Sequence, residues 1–130
     1  MMLLDTHALV WAMSAPSELS HAARQALDSA AERCVSAASL YEIAYKARIG
    51  KWPEVSPLLA FDLDARLRAD GFELLSASGA IMQGAGSLDW THRDPFDRII
   101  VATALAHALP VVSKDETLDS NGAPGWRRVW

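Results

Sequence analysis

Asp94-Pro95-Phe96-Asp97-Arg98-Ile99-Ile100-Val101-Ala102-Thr103-Ala104-Leu105-Ala106-His107-Ala108, continued by Leu109-Pro110-Val111-Val112-Ser113-Lys114-Asp115, is the stretch on which the fold of this chain turns. Asp at a helix cap and Pro at the first helical position support each other, because the N–H that proline lacks is one that a helix start leaves unpaired anyway. Ile100, Val101, Ala104, Leu105 and Ala108 recur at steps of three and four, which predicts a helix over Phe96 to Ala108 with one buried face. Asp97 lies on that same stripe, in the first turn. Pro110 to Ser113 then reads as a short buried strand, with Asp115 at its exit. Helix starts and strand ends share the carboxyl edge of a parallel sheet, so this segment places two acids on one rim.

The same alternation runs back to the N-terminus. Met2 to Leu4 reads as a short strand ending at Asp5, and His7 to Met13 as a helix closed by Pro16. Ser20 caps a helix whose face is Ala22, Ala23, Ala26, Leu27 and Ala30. Cys34 to Ser36 is a second strand, and a helix from about Leu40 to Ile49 stops at Gly50. Ser56-Pro57 opens another helix, with Leu59, Leu63 and Leu67 as its stripe and Gly71 as its stop. Phe72 to Leu75 gives a third strand, Ala80 to Met82 a weaker helical segment, and Arg127 to Trp130 a last edge strand. Parallel strands need crossovers, so the pattern predicts an α/β protein of one domain spanning residues 1–130, a central mostly parallel sheet between two helical layers. The glycines of Asn121 to Gly125 lack the strand-to-helix context of a phosphate cradle, which speaks against a P-loop or dinucleotide fold.

Composition narrows the class. The chain has 130 residues, 51% hydrophobic and 22% charged, enough for a real core in one domain. No apolar run is long enough to cross a bilayer and no secretory leader is visible, so a cytoplasmic protein is expected. Cys34, the single cysteine, is expected to be a buried and inert thiol. The net charge of −4, from 16 acids against 12 Lys and Arg, argues against gripping nucleic acid by bulk electrostatics. That objection weakens if four acids form one pocket, because bound cations then neutralise the local field.

The four are Asp5, Glu42, Asp97 and Asp115. Each alone has a structural explanation. Asp5 suits a helix N-cap, with Thr6 beside it as an orienting hydroxyl. Ser39-Leu40-Tyr41-Glu42 matches a capping box. Asp115 suits a turn or cap, and Asp94 is a cap. Asp97 differs, because a carboxylate at the top of a buried stripe requires a partner and the helix dipole supplies only about 0.3 to 1 kcal/mol. Two carboxylates about 4 Å apart repel by roughly 4 kcal/mol at an effective dielectric near 20. Oxygen donors without a matching His or Cys cluster favour Mg²⁺, or Mn²⁺, over zinc.

Leu3-Leu4-Asp5-Thr6-His7, Ser39-x-x-Glu42 with Lys46, Ile49, Gly50 and Lys51 after it, His92-Arg93-Asp94-Pro95-Phe96-Asp97-Arg98 with its apolar helix, and Ser113-Lys114-Asp115 together resemble a PIN domain of the VapC toxin type. That family is the ribonuclease half of a bacterial type II toxin–antitoxin pair, and the resemblance covers nearly the whole chain. It implies a three-layer α/β/α fold and a metal-dependent endoribonuclease. Asp5, Glu42, Asp97 and Asp115 become the acidic quartet, with Asp5 and Asp97 foremost as metal ligands and Thr6 and Ser113 as supporting hydroxyls. Partners implied are an RNA substrate, an antitoxin that covers the site, and a second copy in a homodimer. Lys46, Arg48, Lys51, Arg93, Arg98 and Lys114 flank the acids and are candidates for RNA phosphates. His7 and His92 could touch substrate, although a His beside a helix start is more often structural. Trp11, Trp52 and Phe61 are candidate partner contacts or simply core.

A PIN fold kept only for binding is the main alternative. A response-regulator receiver also uses an acidic Mg²⁺ pocket, but it needs an Asp at the end of the third strand, where Leu74-Leu75-Ser76-Ala77 offers none. A two-aspartate phosphatase needs a second Asp where His7 stands.

Overall fold

A computed structural model describes all 130 residues. Five strands form one sheet: β1 (Met2–Leu4), β2 (Arg33–Ser36), β3 (Phe72–Leu75), β4 (Val111–Val112) and β5 (Arg128–Val129). Their order is β3-β2-β1-β4-β5 and every pairing is parallel, so the sheet is wholly rather than mostly parallel. The chain lays strands outward on one side of β1, then returns to lay β4 on its other side. The crevice at the carboxyl ends of β1 and β4 is therefore the switch point, where open α/β sheets bind ligands.

Six helices cover the sheet: α1 (Thr6–Ser14), α2 (His21–Ser29), α3 (Ala37–Arg48), α4 (Leu63–Ala69), α5 (Gly79–Ser87) and α6 (Pro95–His107). Strand alternation divides the core between two faces. Met2 and Leu4 of β1, with Val35 and Val112, pack against Leu9, Leu27, Ile43 and Leu67 from the first four helices. Leu3, Cys34 and Val111 point the other way, onto Ile100 and Ala104 of α6. Cys34 is fully buried in this second layer, where burial pushes its thiol up and leaves it no access to substrate.

Two local expectations fail. The helix expected from Leu40 starts at Ala37, capped by Ser36, whose Oγ accepts from the Ala38 N–H at 3.2 Å. Ser39 therefore lies inside α3 and the capping-box reading of Ser39 and Glu42 is wrong. The strand β2 runs straight into its helix, and the first available cap ends it. The helix expected from Ser56-Pro57 is a 3₁₀ segment, Pro53–Ala60, and α4 begins only at Leu63, capped by Asp62. Pro57 and the extended Phe61 separate the two, so Leu59 is not part of the Leu63 and Leu67 stripe. The weak segment at Ala80 proves to be a nine-residue helix capped by Ser78. Asp94 caps α6 as expected, accepting from Phe96 N–H at 2.8 Å and Asp97 N–H at 3.3 Å.

Candidate active site

The four acids line one pocket. A pocket without a single hydrophobic lining residue opens at the carboxyl edge, walled by Asp5, Thr6, His7, Glu42, Lys46, His92, Asp94, Asp97 and Asp115. Asp5 comes from the end of β1, Glu42 from α3, Asp97 from the first turn of α6, and Asp115 from the exit of β4. The local reasons differ for each.

Asp5 is both cap and pocket wall. Its Oδ1 accepts from the Ala8 N–H at 2.7 Å and so starts α1, while the side chain is 7% exposed. Burial raises its pKa, against the opposing pull of the Ser113 hydroxyl, the Ala8 amide and His7, and with a further push from Glu42. Ser113 is fully buried, and its Oγ also accepts from the Asp115 N–H at 3.0 Å, tying the ends of β1 and β4 together. Thr6 and Ser39 share a buried hydroxyl–hydroxyl contact at 3.0 Å that joins α1 to α3 beneath the pocket. Glu42, 4% exposed, accepts from the Lys46 ammonium one turn along α3 at 2.5 Å. Asp115 is exposed and caps the 3₁₀ turn Glu116–Asn121, accepting from the Thr117 N–H and hydroxyl at 2.9 and 2.7 Å. The turn reading was correct, and the same position lines the pocket.

Asp97 is also under electrostatic tension. Its pKa is pushed up to about 6, first by burial and then by the charges of Asp94 and Glu42, against the hydrogen bond from His92. His92 Nε2 lies 2.7 Å from Asp97 Oδ2. A carboxyl whose folded pKa exceeds its unfolded value binds an extra proton between the two, so folding loses stability as pH rises through that window. In the metal-free protein, stability should thus fall by roughly 2 kcal/mol between about pH 4 and pH 7, a figure reduced for Asp97's 24% side-chain exposure. Denaturant melts across that range in chelator, and again in millimolar Mg²⁺, measure it. A metal-free stability that climbs from pH 4 to 7 would contradict the assignment.

No three His, Cys, Asp or Glu side chains are close enough to form a closed metal cage of their own. Mg²⁺ does not require one, because it keeps several waters and binds through one or two carboxylates. An all-oxygen acid set with two carboxyl groups held above their normal pKa fits such an ion.

The basic candidates divide sharply. Lys46 lines the pocket. Arg48, Lys51, Arg93 and Lys114 are exposed and do not line it. Arg98 is not a phosphate ligand, because its guanidinium points inward. Nε donates to Ala85 O at 2.9 Å, Nη1 to Trp90 O and His92 O at 2.8 Å each, and Nη2 to Leu88 O at 2.7 Å and Gly86 O at 3.3 Å. Those five acceptors match the five N–H groups an arginine has, leaving none for RNA. Arg98 instead holds the 85–92 segment that carries His92 to Asp97. Trp11 and Trp52 are half-buried against the first core layer, whereas Phe61 is 64% exposed.

Sequence reasoning missed three features of this site. Asp94 is a pocket wall as well as a cap. The Glu42 and Lys46 pair was signalled by its spacing of four. The His92 and Asp97 bond carried no signal, since it depends on the fold of the intervening turn.

The family model described as PIN domain matches residues 2–123 of the chain. The chain belongs to the PIN domain family. Among curated proteins it is 34% identical to ribonuclease VapC22 of Mycobacterium tuberculosis, over 98% of this chain and 97% of that one. Solved structures with the same fold include a DNA-bound VapBC of Salmonella typhimurium, at TM-score 0.69 and 22% identity over 98% of this chain and 97% of that chain. A toxin–antitoxin complex from Klebsiella pneumoniae aligns at TM-score 0.65 and 23% identity, over 97% and 95% of the two chains.

Proposed function

We propose that this protein is a Mg²⁺-dependent endoribonuclease, the toxin of a type II toxin–antitoxin pair. The observation that carries the reading is the wholly polar pocket into which Asp5, Glu42, Asp97 and Asp115 converge. Asp5 and Asp97 are the foremost metal ligands, with Glu42 and Asp115 completing the set, and Mn²⁺ can replace Mg²⁺. A divalent ion there supplies Lewis acidity, which makes water a better nucleophile and offsets charge on the phosphodiester.

The chain's own side chains do the rest. Glu42 or Asp115 accepts the proton of the attacking water, the P–O bond opposite it breaks, and the leaving oxygen takes a proton from solvent. Lys46 is fixed by Glu42 and faces the pocket, where it can meet a phosphate oxygen. Ser113 orients Asp5, Thr6 and Ser39 brace α1 against α3, and His92 orients Asp97. Lys46, Arg48, Lys51, Arg93 and Lys114 are the proposed phosphate contacts around the rim. No protein nucleophile is involved.

An antitoxin protein covering this pocket is part of the same proposal, by analogy with the toxin–antitoxin complex of similar fold. So is action in the cytoplasm; no helix is long and apolar enough to cross a membrane. A homodimer is also part of the proposal. A solution mass equal to one 14.1 kDa chain at micromolar concentration would count against it. The ribonuclease itself is tested by sequencing RNA ends from cells expressing the wild type and Asp97→Asn in parallel. New ends are expected with the wild type alone, and identical profiles would favour a PIN scaffold that only binds.

A further inference from the structure

A row of rings adjoins the acid pocket through His7. His7 stacks on Trp52 with centroids 4.5 Å apart and planes 29° apart, and meets Trp11 at 5.8 Å in a tilted contact. Ammonium groups lie over the indoles: Lys46 Nζ is 5.9 Å from the Trp52 centroid and Lys114 Nζ 5.9 Å from that of Trp11. His7 and Lys46 also line the acid pocket, so the rings and the carboxylates share a boundary. Core packing explains why Trp11 meets Trp130 at 5.6 Å and why Trp52 touches the first apolar layer. It does not explain an exposed imidazole laid flat on an indole at the mouth of a polar pocket.

We infer that His7, Trp52 and Trp11 form a stacking shelf for an unpaired nucleobase next to the phosphodiester that is cut, with Lys46 and Lys114 on the neighbouring phosphates. Aromatic faces interleaved with cations are the arrangement that holds single-stranded nucleic acid, because every base presents a π face and the backbone is anionic. A base inside a duplex is already stacked on both sides and cannot enter such a shelf. The shelf therefore selects loops and single strands, and it sets which phosphate reaches the acids. The inference rests on the ribonuclease reading and specifies how that site takes its substrate.

The test uses the full chain carrying Asp97→Asn, so that a bound probe is not consumed, in Mg²⁺. Two fluorescent probes are compared: a randomised single-stranded RNA decamer, and a decamer of the same ribose-phosphate backbone without bases. The base-bearing probe should bind about tenfold more tightly and quench tryptophan emission. Adding His7→Ser should remove about that tenfold advantage while leaving the abasic probe unchanged, and His7→Tyr, which keeps a ring, should restore it. His7 is exposed, so neither change endangers folding. Equal affinity for the two probes, or failure of Tyr to rescue, overturns the shelf. So does a His7→Ser chain that binds RNA normally but no longer self-associates, which would assign the rings to a second copy. Cleavage by the wild type, scored separately, shows whether the nuclease reading stands when the shelf does not.

Discussion

Asp97→Asn is expected to make the metal-free protein more stable at neutral pH while lowering RNA cleavage by at least about a hundredfold. Asp97 is held at a pKa of about 6 by burial and by its acidic neighbours, so its ionised form strains the fold. An amide fills the same volume without that charge. The expected gain is about 1 to 2 kcal/mol, lessened by a weaker bond to His92, which corresponds to a melting temperature roughly 6 °C higher. The loss of activity follows because an amide no longer supplies the negative charge that the cation requires. Mg²⁺ should stabilise the wild type, as any ligand specific for the folded state does, and have little effect on the variant. Thermal melts with and without Mg²⁺, paired with cleavage assays, check both halves. A variant less stable than the wild type in chelator would show that Asp97 is a structural partner rather than a strained ligand.

Arg98→Ala is the second large effect, and it acts at a distance from the chemistry. Removing the guanidinium leaves the carbonyls of Ala85, Gly86, Leu88, Trp90 and His92 without their donor. Some of these groups are reached by water, so the cost is less than five full hydrogen bonds, about 3 kcal/mol, or a melting temperature lower by roughly 10 °C. The segment also positions His92 against Asp97, so activity should fall even where the protein remains folded. Arg98→Lys should recover little of either, because a single ammonium cannot reproduce the fork that reaches five acceptors. A Lys variant of normal stability and activity would return Arg98 to the role of a solvent-facing cation.

The contrast between these two positions shows what could be read from the sequence. Asp97 was visible because its place on the stripe of Ile100, Val101 and Ala104 put a charge where only a partnered one belongs. Arg98, its neighbour, looked like one more cation near the acids. Its true role depends on five carbonyls at the end of α5 and in the loop after it, a path that no local pattern encodes. Strand positions were legible for a similar reason: Met2 to Leu4, Cys34 to Ser36 and Pro110 to Ser113 are short, largely apolar runs that alternate with helices, as the strands of a buried parallel sheet do. The start of α3 was misread because Ser39 and Glu42 satisfy a capping pattern locally, while the end of β2 at Ser36 decides where the helix begins. With Ser39 inside the helix and bonded to Thr6, Glu42 loses its capping explanation and its buried carboxylate points to the pocket instead. Asp5 and Asp115 show that cap and site wall are not exclusive alternatives. Each does both, since a cap places a carboxylate at the helix or turn start that forms the rim.

The central claim is that carboxylates from four separated segments form a trap for a divalent cation, and a calorimetric titration of the purified chain with MgCl₂ or MnCl₂ tests it most directly. Asp5→Asn is the apt control, because asparagine also caps helices well and can still accept from the Ala8 amide, so the fold is kept. The account predicts saturable heat for the wild type and its loss, or a shift of at least about tenfold in affinity, for Asp5→Asn. Absence of saturable binding in the wild type, or equal binding by the two proteins, would contradict it.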